Sequence, residues 1–508
     1  MVLRQARSGI ARHQSLPLLL RSLSRRTGWT AILSSSRPVV QPVDRGSHFC
    51  ADAASPRRGP HTRYSQAEGP RDRRSRTSEG RRAIHSPQRP PPEDDDGSIA
   101  GRRATKQKRS AHRQQEIADA AIAVIGEQGL ARVTHKMVAD RAGVSLAATT
   151  YYFETKADIV AEASGQLLQH YVGSFGRFAD RHRAVPTVDF LGFFTRLLAN
   201  VAGGHRTGTL AWCEIMLDAA RRDTTRRLAR SWFDRVHDLW LDITALLGVE
   251  DAETVARSGL DLCIGLFFVI LPLGLDEAEA TALPFDGLRE RSPTDSAAGP
   301  QRAPARQGRK AVETRGRIVD AAMAILAAEG PGGVTYRAVA DRANLTRAAP
   351  TYHFPTIEGL IGDVQIDLFD RTKARYREGL AGLDRATLDA PQLIRSTAAI
   401  LRREATEFGL LSLADLAIRL EAARHPTLRP IVRSHIEDQN RAWLRILRQL
   451  APRHATPAGA MILQSLCIGK LVRIAATGGR RADVDRVREE LAHDIGALLG
   501  GAHWTAQG

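Results

Sequence analysis

From Gln114 onward the apolar residues fall at helical intervals. Ile117, Ala121, Val124 and Ile125 take positions i, i+4, i+7 and i+8, one face of a helix. Gly129 follows, where a left-handed cap would end that helix. Ile318, Ala322, Ile325, Leu326 and Gly330 repeat the device 201 positions later. Further periodic segments predict helices over 157–183, 187–202, 210–222, 225–247 and 252–273. No stretch alternates apolar and polar residues for more than a few positions, and no turn dipeptide joins β-branched runs. The pattern predicts an all-α protein.

Between the longer periodic segments lie two short ones. Thr134 can N-cap a helix over 135–142, with Val138 and Ala139 as its small buried face. Gly143 breaks it, Val144 can plug the gap, and Ser145 can cap a second helix running to Tyr152. Two short helices joined by a tight turn containing Gly form a helix-turn-helix. Thr335, Val339, Ala340, Asn344, Leu345 and Thr346 take the same places later in the chain. Asn tolerates the left-handed conformation that Gly supplies in the first copy.

The chain is therefore duplicated. Between residues 117–160 and 318–361, 19 of 44 positions are identical without a gap. "LDAARRDTTRRLARS" from Leu217 matches "LEAARHPTLRPIVRS" from Leu420, and "LCIG" recurs at Leu262 and Leu466. The offset grows from 201 to 203 and then 204, so the copies differ by small loop insertions. The expected organisation is a basic tail over 1–110, a helix-turn-helix domain over 111–160 and a helical sensor and dimerisation domain over 161–275. A linker over 276–311, rich in Pro, Gly, Ser and Arg, leads to a second helix-turn-helix domain over 312–361 and a second helical domain over 362–502.

Charge changes this picture less than its size suggests. The 508 residues carry a formal net charge of +17. Residues 1–113 hold 24 Lys and Arg against 9 Asp and Glu, which is +15, and the other 395 carry about +2. Composition alone does not make the folded body a nucleic-acid binder. The first forty residues are rich in Arg and Ser and lack an acid, as in an organellar transit peptide. The next sixty continue the bias without an apolar period, so a disordered tail or an upstream-extended reading frame is the more economical account.

Cys50, Cys213, Cys263 and Cys467 form no C-x-x-C pair and have no histidines at ligand spacing, so neither a zinc site nor a disulfide framework is expected. The pattern suits reduced thiols in cytosol. No uninterrupted run of about 18 apolar residues occurs, and no membrane span is expected. The most apolar stretch, 260–275, reads as a buried helix. No phosphate loop, G-x-S-x-G elbow or H-E-x-x-H motif occurs, so neither catalytic residues nor a cofactor or metal are expected.

The candidate chemistry sits on the short second helices. A helix entering the major groove needs small residues that let its backbone approach. Ala147, Ala148, Ala348 and Ala349 meet that need, and their methyls can pack on thymine. Hydroxyls of Thr149, Thr150 and Thr351 and phenols of Tyr151 and Tyr352 can reach phosphates. Lys136 and Arg337 on the first helices, and Arg347 on the second, can reach guanine or phosphate. With the caps Ser145 and Thr346 these residues make up the candidate DNA surface. A lone Thr-Tyr-Phe cluster is an ordinary helix end, but here the whole arrangement occurs twice.

The segments "AGVSLAATTYYFETKADIV" and "ANLTRAAPTYHFPTIEGLI", each preceded by an "IxDAAxxxxxxxG" helix and a Thr-led helix, resemble the tetracycline-repressor (TetR) family of bacterial transcriptional regulators. The resemblance covers about 45 residues per copy. It implies three DNA-binding helices followed by a helical ligand pocket and a two-fold dimer bundle. The family's contact positions fall on Lys136, Leu146, Ala147, Ala148, Thr150, Tyr151 and Lys156, and in the second copy on Arg337, Arg347, Ala348, Ala349, Thr351, Tyr352 and His353. Ile357 stands where the first copy has Lys156, which loses a phosphate contact that Arg347 can offset.

Such regulators pair as homodimers, and two units in one chain suggest an intramolecular pseudo-dimer. Its bundle would be built on the helices containing Gly265 and Gly469, whose small size permits close approach. The competing arrangement is a dimer of chains with four heads. The unlike sequences "SLAATTYY" and "TRAAPTYH" predict an operator with unlike half-sites, with Arg347 preferring guanine on its side. The expected partners are double-stranded DNA and a small-molecule effector of unknown identity. Large apolar groups available to line its site include Trp212, Met216, Trp240, Phe267 and Trp443, with Glu214, Asp218, Asp415 and Arg419 as polar neighbours or salt-bridge partners. The alternative reading is an interaction or ligand-sensing protein with one or both heads vestigial.

Overall fold

The computed structural model describes residues 96–185, 188–288, 308–379, 387–479 and 481–500. The tail expected over 1–110 thus falls mostly outside the described residues, as does much of the linker. Among the described residues the only regular elements are helices.

The first half begins with α1 (Asp96–Gln128), α2 (His135–Ala142) and α3 (Leu146–Tyr152). It continues with α4 (Lys156–Ala184), α5 (Phe190–Ala202), α6 (Arg206–Arg221), α7 (Asp223–Leu246), α8 (Ala252–Leu273) and α9 (Glu277–Asp286). The second half follows the same order with α10 (Arg309–Glu329), α11 (Tyr336–Ala343), α12 (Ala348–His353), α13 (Ile357–Gly379) and α14 (Ala390–Ala405). The last four are α15 (Gly409–Arg424), α16 (Arg429–Leu450), α17 (Pro457–Thr477) and α18 (Arg481–Gly500).

Local chemistry sets the boundaries. Thr155 and Asp158 form a capping box at the start of α4, and Asp389 with Gln392 does so for α14. Gly129 and Gly330 end the first helix of each half, but not as the expected left-handed caps. Their φ angles are 81° and 80° with ψ at 148° and −176°, an extended positive-φ conformation open essentially to glycine alone. The chain can then enter a single 3₁₀ turn, Leu130–Arg132 or Pro331–Gly333.

The described residues, from Asp96 to Gly500, form one compact unit. One apolar core runs through both halves, from Ile117 and Ile125 through Trp240 and Phe268 to Ile318 and Leu466. A smaller core around Leu393, Leu463, Leu491 and Ile495 serves the end of the second half, with Trp443 packed against it.

The centre of the unit is the crossing of α8 on α17. A Cβ built on Gly265 would overlap the carbonyl of Ser465, and one on Gly469 would overlap the carbonyl of Asp261. Asp261 and Ser465 are themselves equivalent, as are Gly265 and Gly469, both pairs at an offset of 204. The two contacts are therefore one contact seen twice, as across a two-fold axis. By length and composition α8 and α17 are apolar enough to cross a bilayer, more than the absence of an unbroken apolar run implied. In the protein most of both helices is buried.

Candidate nucleic-acid interface

In the first half, the Thr134 side chain accepts from Met137 N at the start of α2, and the Ser145 side chain accepts from Ala148 N at the start of α3. Gly143 between them is left-handed at φ 65° and ψ 32°. In the second half Thr335 caps α11 through Ala338 N, and Asn344 adopts the same left-handed turn at φ 51° and ψ 54°.

The start of α12 departs from expectation. Arg347, not Thr346, occupies the N-cap position, and no side-chain bond caps the helix. Pro350 explains the shift. It replaces Thr149, whose N–H bonds the Ser145 carbonyl, and proline has no N–H to bond the Thr346 carbonyl in turn. The first regular bond is lost, and the helix begins one residue later than α3, at Ala348 rather than at Arg347, the counterpart of Leu146.

The candidate residues divide by face. Lys136, Ser145, Leu146, Ala147, Thr150 and Tyr151 are exposed, as are Arg337, Thr346, Arg347, Ala348, Thr351 and Tyr352. Tyr151 and Tyr352 stand 83% and 84% exposed, an unusual state for large rings in a packed protein. Ala148, Ala349 and His353 are half-buried. Thr149 is a correction: it is fully buried, with its hydroxyl on the Ser145 carbonyl at 3.5 Å, because it lies on the inner face of α3. Pro350 occupies the same inner position in α12 and is also buried.

Lys156 is already engaged. Its Nζ donates to the Ala131 carbonyl at 3.0 Å, and burial followed by the Arg222 charge lowers its pKa. His353 offers its carbonyl to Arg315, whose guanidinium also covers the Phe354 ring at 4.0 Å.

Both recognition segments are pinned by His135 and Tyr336, which helical periodicity does not single out. A ring nitrogen of His135 lies 3.0 Å from the Phe153 carbonyl, and the Tyr336 hydroxyl donates to the Phe354 carbonyl at 2.9 Å. His135 and Tyr336 are equivalent positions, so the first residue of α2 or α11 anchors the end of the reading helix. The shared offset was the available signal.

The candidate effector residues occupy several places. Trp212, Met216, Trp240 and Phe267 are buried in the first half. Trp212 lies 4.9 Å from Trp232 and 5.9 Å from Phe267 between ring centres, and Trp240 Nε1 donates to the Tyr171 hydroxyl at 3.0 Å. Trp443 is half-buried at the second core. Glu214 pairs with Arg424 at 2.8 Å and Asp218 with Arg222 at 2.7 Å, so both are salt-bridge partners. A cavity of about 230 Å³ opens between α7, α8, α17 and α18, and none of the five candidates lines it.

The contact of α8 with α17 and α18 carries a buried ionic cluster. Lys470 Nζ lies 3.0 Å from Asp261, 3.3 Å from Glu490 and 3.0 Å from Asp494. Arg473 pairs with Asp261 at 2.8 Å and Glu490 at 2.6 Å. Burial works against the Asp261 carboxylate, but Arg473 and Lys470 outweigh it and hold its pKa low.

Residues 117–163 and 318–364 match the family described as "Bacterial regulatory proteins, tetR family". Residues 186–289 and 388–500 match "Tetracyclin repressor-like, C-terminal domain". Two relatives are HTH-type transcriptional regulators called BetI. That of Brucella anthropi is 27% identical over 175 residues, 34% of this chain and 87% of its own length. That of Rhizobium meliloti is 28% identical over 160 residues, 30% of this chain and 76% of its own. Among solved structures, a transcriptional regulator from Rhodococcus sp. Rha1 is 22% identical with a TM-score of 0.30, covering 37% of this chain and 96% of its own. The multidrug binding protein EbrR, solved with imidazole, is 32% identical with a TM-score of 0.27, covering 36% and 98%. Each of these spans about a third of the chain, the size of one repeat.

Proposed function

Since the chain belongs to the TetR family as two tandem units, we propose that it is an effector-responsive repressor of the bacterial cytosol that grips its operator as an intramolecular pseudo-dimer. It is a DNA-binding transcriptional regulator by family. The finer reading rests on one observation, the reciprocal approach of Gly265 to Ser465 and Gly469 to Asp261. That contact joins the two halves of one chain where the family joins two chains.

The ionic cluster favours unlike pairing. Leu266 is the first-half counterpart of Lys470, and Val269 that of Arg473. If two first halves paired, each Asp261 would face aliphatic residues. An uncompensated buried carboxylate costs about 3–5 kcal/mol. First half with second half is the pairing that satisfies the charges.

In this reading Leu146, Ala147, Thr150 and Tyr151 face one half-site, and Arg347, Ala348, Thr351 and Tyr352 the other. Lys136 and Arg337 lie on the exposed flanks. Ser145 serves α3 as a cap, Ala148, Ala349 and His353 flank the groove, and Lys156 would reach phosphate only by leaving the Ala131 carbonyl. Because the readers differ, the operator has unlike half-sites. Loss of the Lys156 equivalent at Ile357 and the shortened α12 favour the weaker grip on the second side.

The test is native mass of the full chain alone and on operator DNA selected from a random pool. One chain per duplex with two unlike half-sites supports the proposal. Two chains per duplex on a palindrome would refute it.

A further inference from the structure

The second half contains a buried chain of polar side chains that the first half lacks. Gln365 Nε2 on α13 donates to Asp415 Oδ1 at 2.7 Å, and Arg419 Nε donates to Asp415 Oδ2 at 3.0 Å, both on α15. Arg419 Nη2 reaches Gln439 Oε1 on α16 at 3.2 Å, and Gln464 Nε2 on α17 donates to that same oxygen at 2.9 Å. Four helices thus contribute to one continuous run. Gln365, Arg419 and Gln464 are only 1–2% exposed.

The run is incomplete. Gln365 Oε1, Arg419 Nη1 and Gln464 Oε1 have no hydrogen-bond partner among the described residues. A buried polar atom left without a partner is expensive, and an apolar core of the same shape would be more stable.

The same fold shows that the apolar solution exists. At offsets of 203 and 204 the first half places Trp212 for Asp415, Met216 for Arg419, Val236 for Gln439 and Leu260 for Gln464. All four are buried in the apolar core, and Trp212 packs there against the rings of Trp232, Phe233 and Phe267. Trp240 and Trp443 share the offset, so the register is fixed by a residue kept in both. The polar chain is therefore not required by the architecture.

We propose that Gln365, Arg419 and Gln464 form the recognition surface for a small zwitterionic effector of the α-amino acid class, and that the first half does not bind it. The inference rests on the effector-responsive part of the reading above. Arg419 Nη1 offers a donor to a carboxylate, and the oxygens of Gln365 and Gln464 accept from an ammonium group. Asp415 already balances the Arg419 charge, so the site selects a neutral molecule with separated charges rather than a net anion.

The experiment is thermal melting of the full chain with each of the proteinogenic L-amino acids at ~10 mM, compared with the double variant Arg419→Met/Gln464→Leu. That variant carries the first half's own residues at both positions but leaves Asp415 without its cation, so it must first be shown to fold by circular dichroism. Gln464→Leu alone serves if it does not. At least one amino acid should raise the Tm of the native chain by about 2 °C or more, and the variant should lose the shift. Met216→Leu in the first half should keep it. No shift with any amino acid, or a shift that survives in the variant, overturns the proposal. Gel shifts on the same samples separate this outcome from a failure to bind DNA.

Discussion

Arg424 donates its Nε to the carbonyl of Gly126 at 2.9 Å, across 298 residues of chain. Its counterpart Arg221 donates to the Ala327 carbonyl at 3.0 Å. Each arginine ends the α6 or α15 helix of one half and satisfies carbonyls in the last turn of α1 or α10 in the other. Those carbonyls lack helical partners and lie at the negative end of the helix dipole, where a cation is favoured. Each DNA-binding head is thus tied to the sensor helices of the opposite half.

Arg424→Ala is expected to destabilise by about 3–5 kcal/mol, because Glu214 and Glu421 would be left as buried carboxylates without their cation. Arg221→Ala removes hydrogen bonds without stranding a charge there, and about 1–2 kcal/mol is expected. Urea unfolding of both variants measures the difference. Equal losses would show that the carboxylates matter little.

Ala147→Glu and Ala348→Glu place a carboxylate on exposed positions of α3 and α12. Each should weaken operator binding roughly 10-fold or more by facing phosphates and bases with like charge. Tm should hardly change, since neither site is buried. Fluorescence anisotropy with labelled duplex reads both effects, and undiminished affinity in the Ala147→Glu chain would remove α3 from the interface.

Lys470→Leu restores the residue of the first half, takes the ammonium group from Asp494 and leaves Asp261 and Glu490 with Arg473 alone. A loss of about 3 kcal/mol is expected near neutral pH. The folded pKa of Asp261 lies below its ordinary 3.8, so its contribution is present above that value and is lost as pH falls through the folded pKa. Lys470 is shifted upward from 10.5, and its contribution persists until pH rises past that range. The deficit of the variant should therefore be flat from about pH 5 to 10 and shrink in acid. A deficit that grows on acidification would contradict this account.

His435 stacks on Phe369 at 3.9 Å, and burial pushes its pKa down to about 4. Asp415, Asp370 and Asp438 pull it upward and Arg419 pulls it down, but burial prevails. A folded pKa below the unfolded 6.5 means that stability is complete above 6.5 and drains away as pH falls toward 4. The full span is about 3 kcal/mol. His435→Trp, the residue of the first half, should flatten that part of the pH profile. Denaturant midpoints from pH 7 to 4 provide the measurement.

Much of this was legible because it is local or repeated. Thr134, Gly143 and Ser145 declare the helix-turn-helix through caps and a turn, and Asn344 announces its copy. Gly265 and Gly469 were visible as paired small residues on apolar helices. Hydroxyl chemistry alone does not place Thr149: helix phase turns it inward beside exposed Thr150. Pro350 stood in plain view, and its missing N–H moves the start of α12. The polar chain from Gln365 to Gln464 was not legible: its members are spread over 100 residues and meet only after four helices pack. The crossed arginines recur in "LDAAR" and "LEAAR", but their partners lie in the other half.

The reciprocal glycine contact has a genetic consequence. In a homodimer every substitution is installed twice, once over each arm of its site. In the proposed pseudo-dimer Gly265 and Gly469 seat two halves that are encoded separately within one gene, so a change of reader would enter a single arm. Each arm of that pseudo-dimer could then drift toward a new sequence while the other kept the complex on its operator.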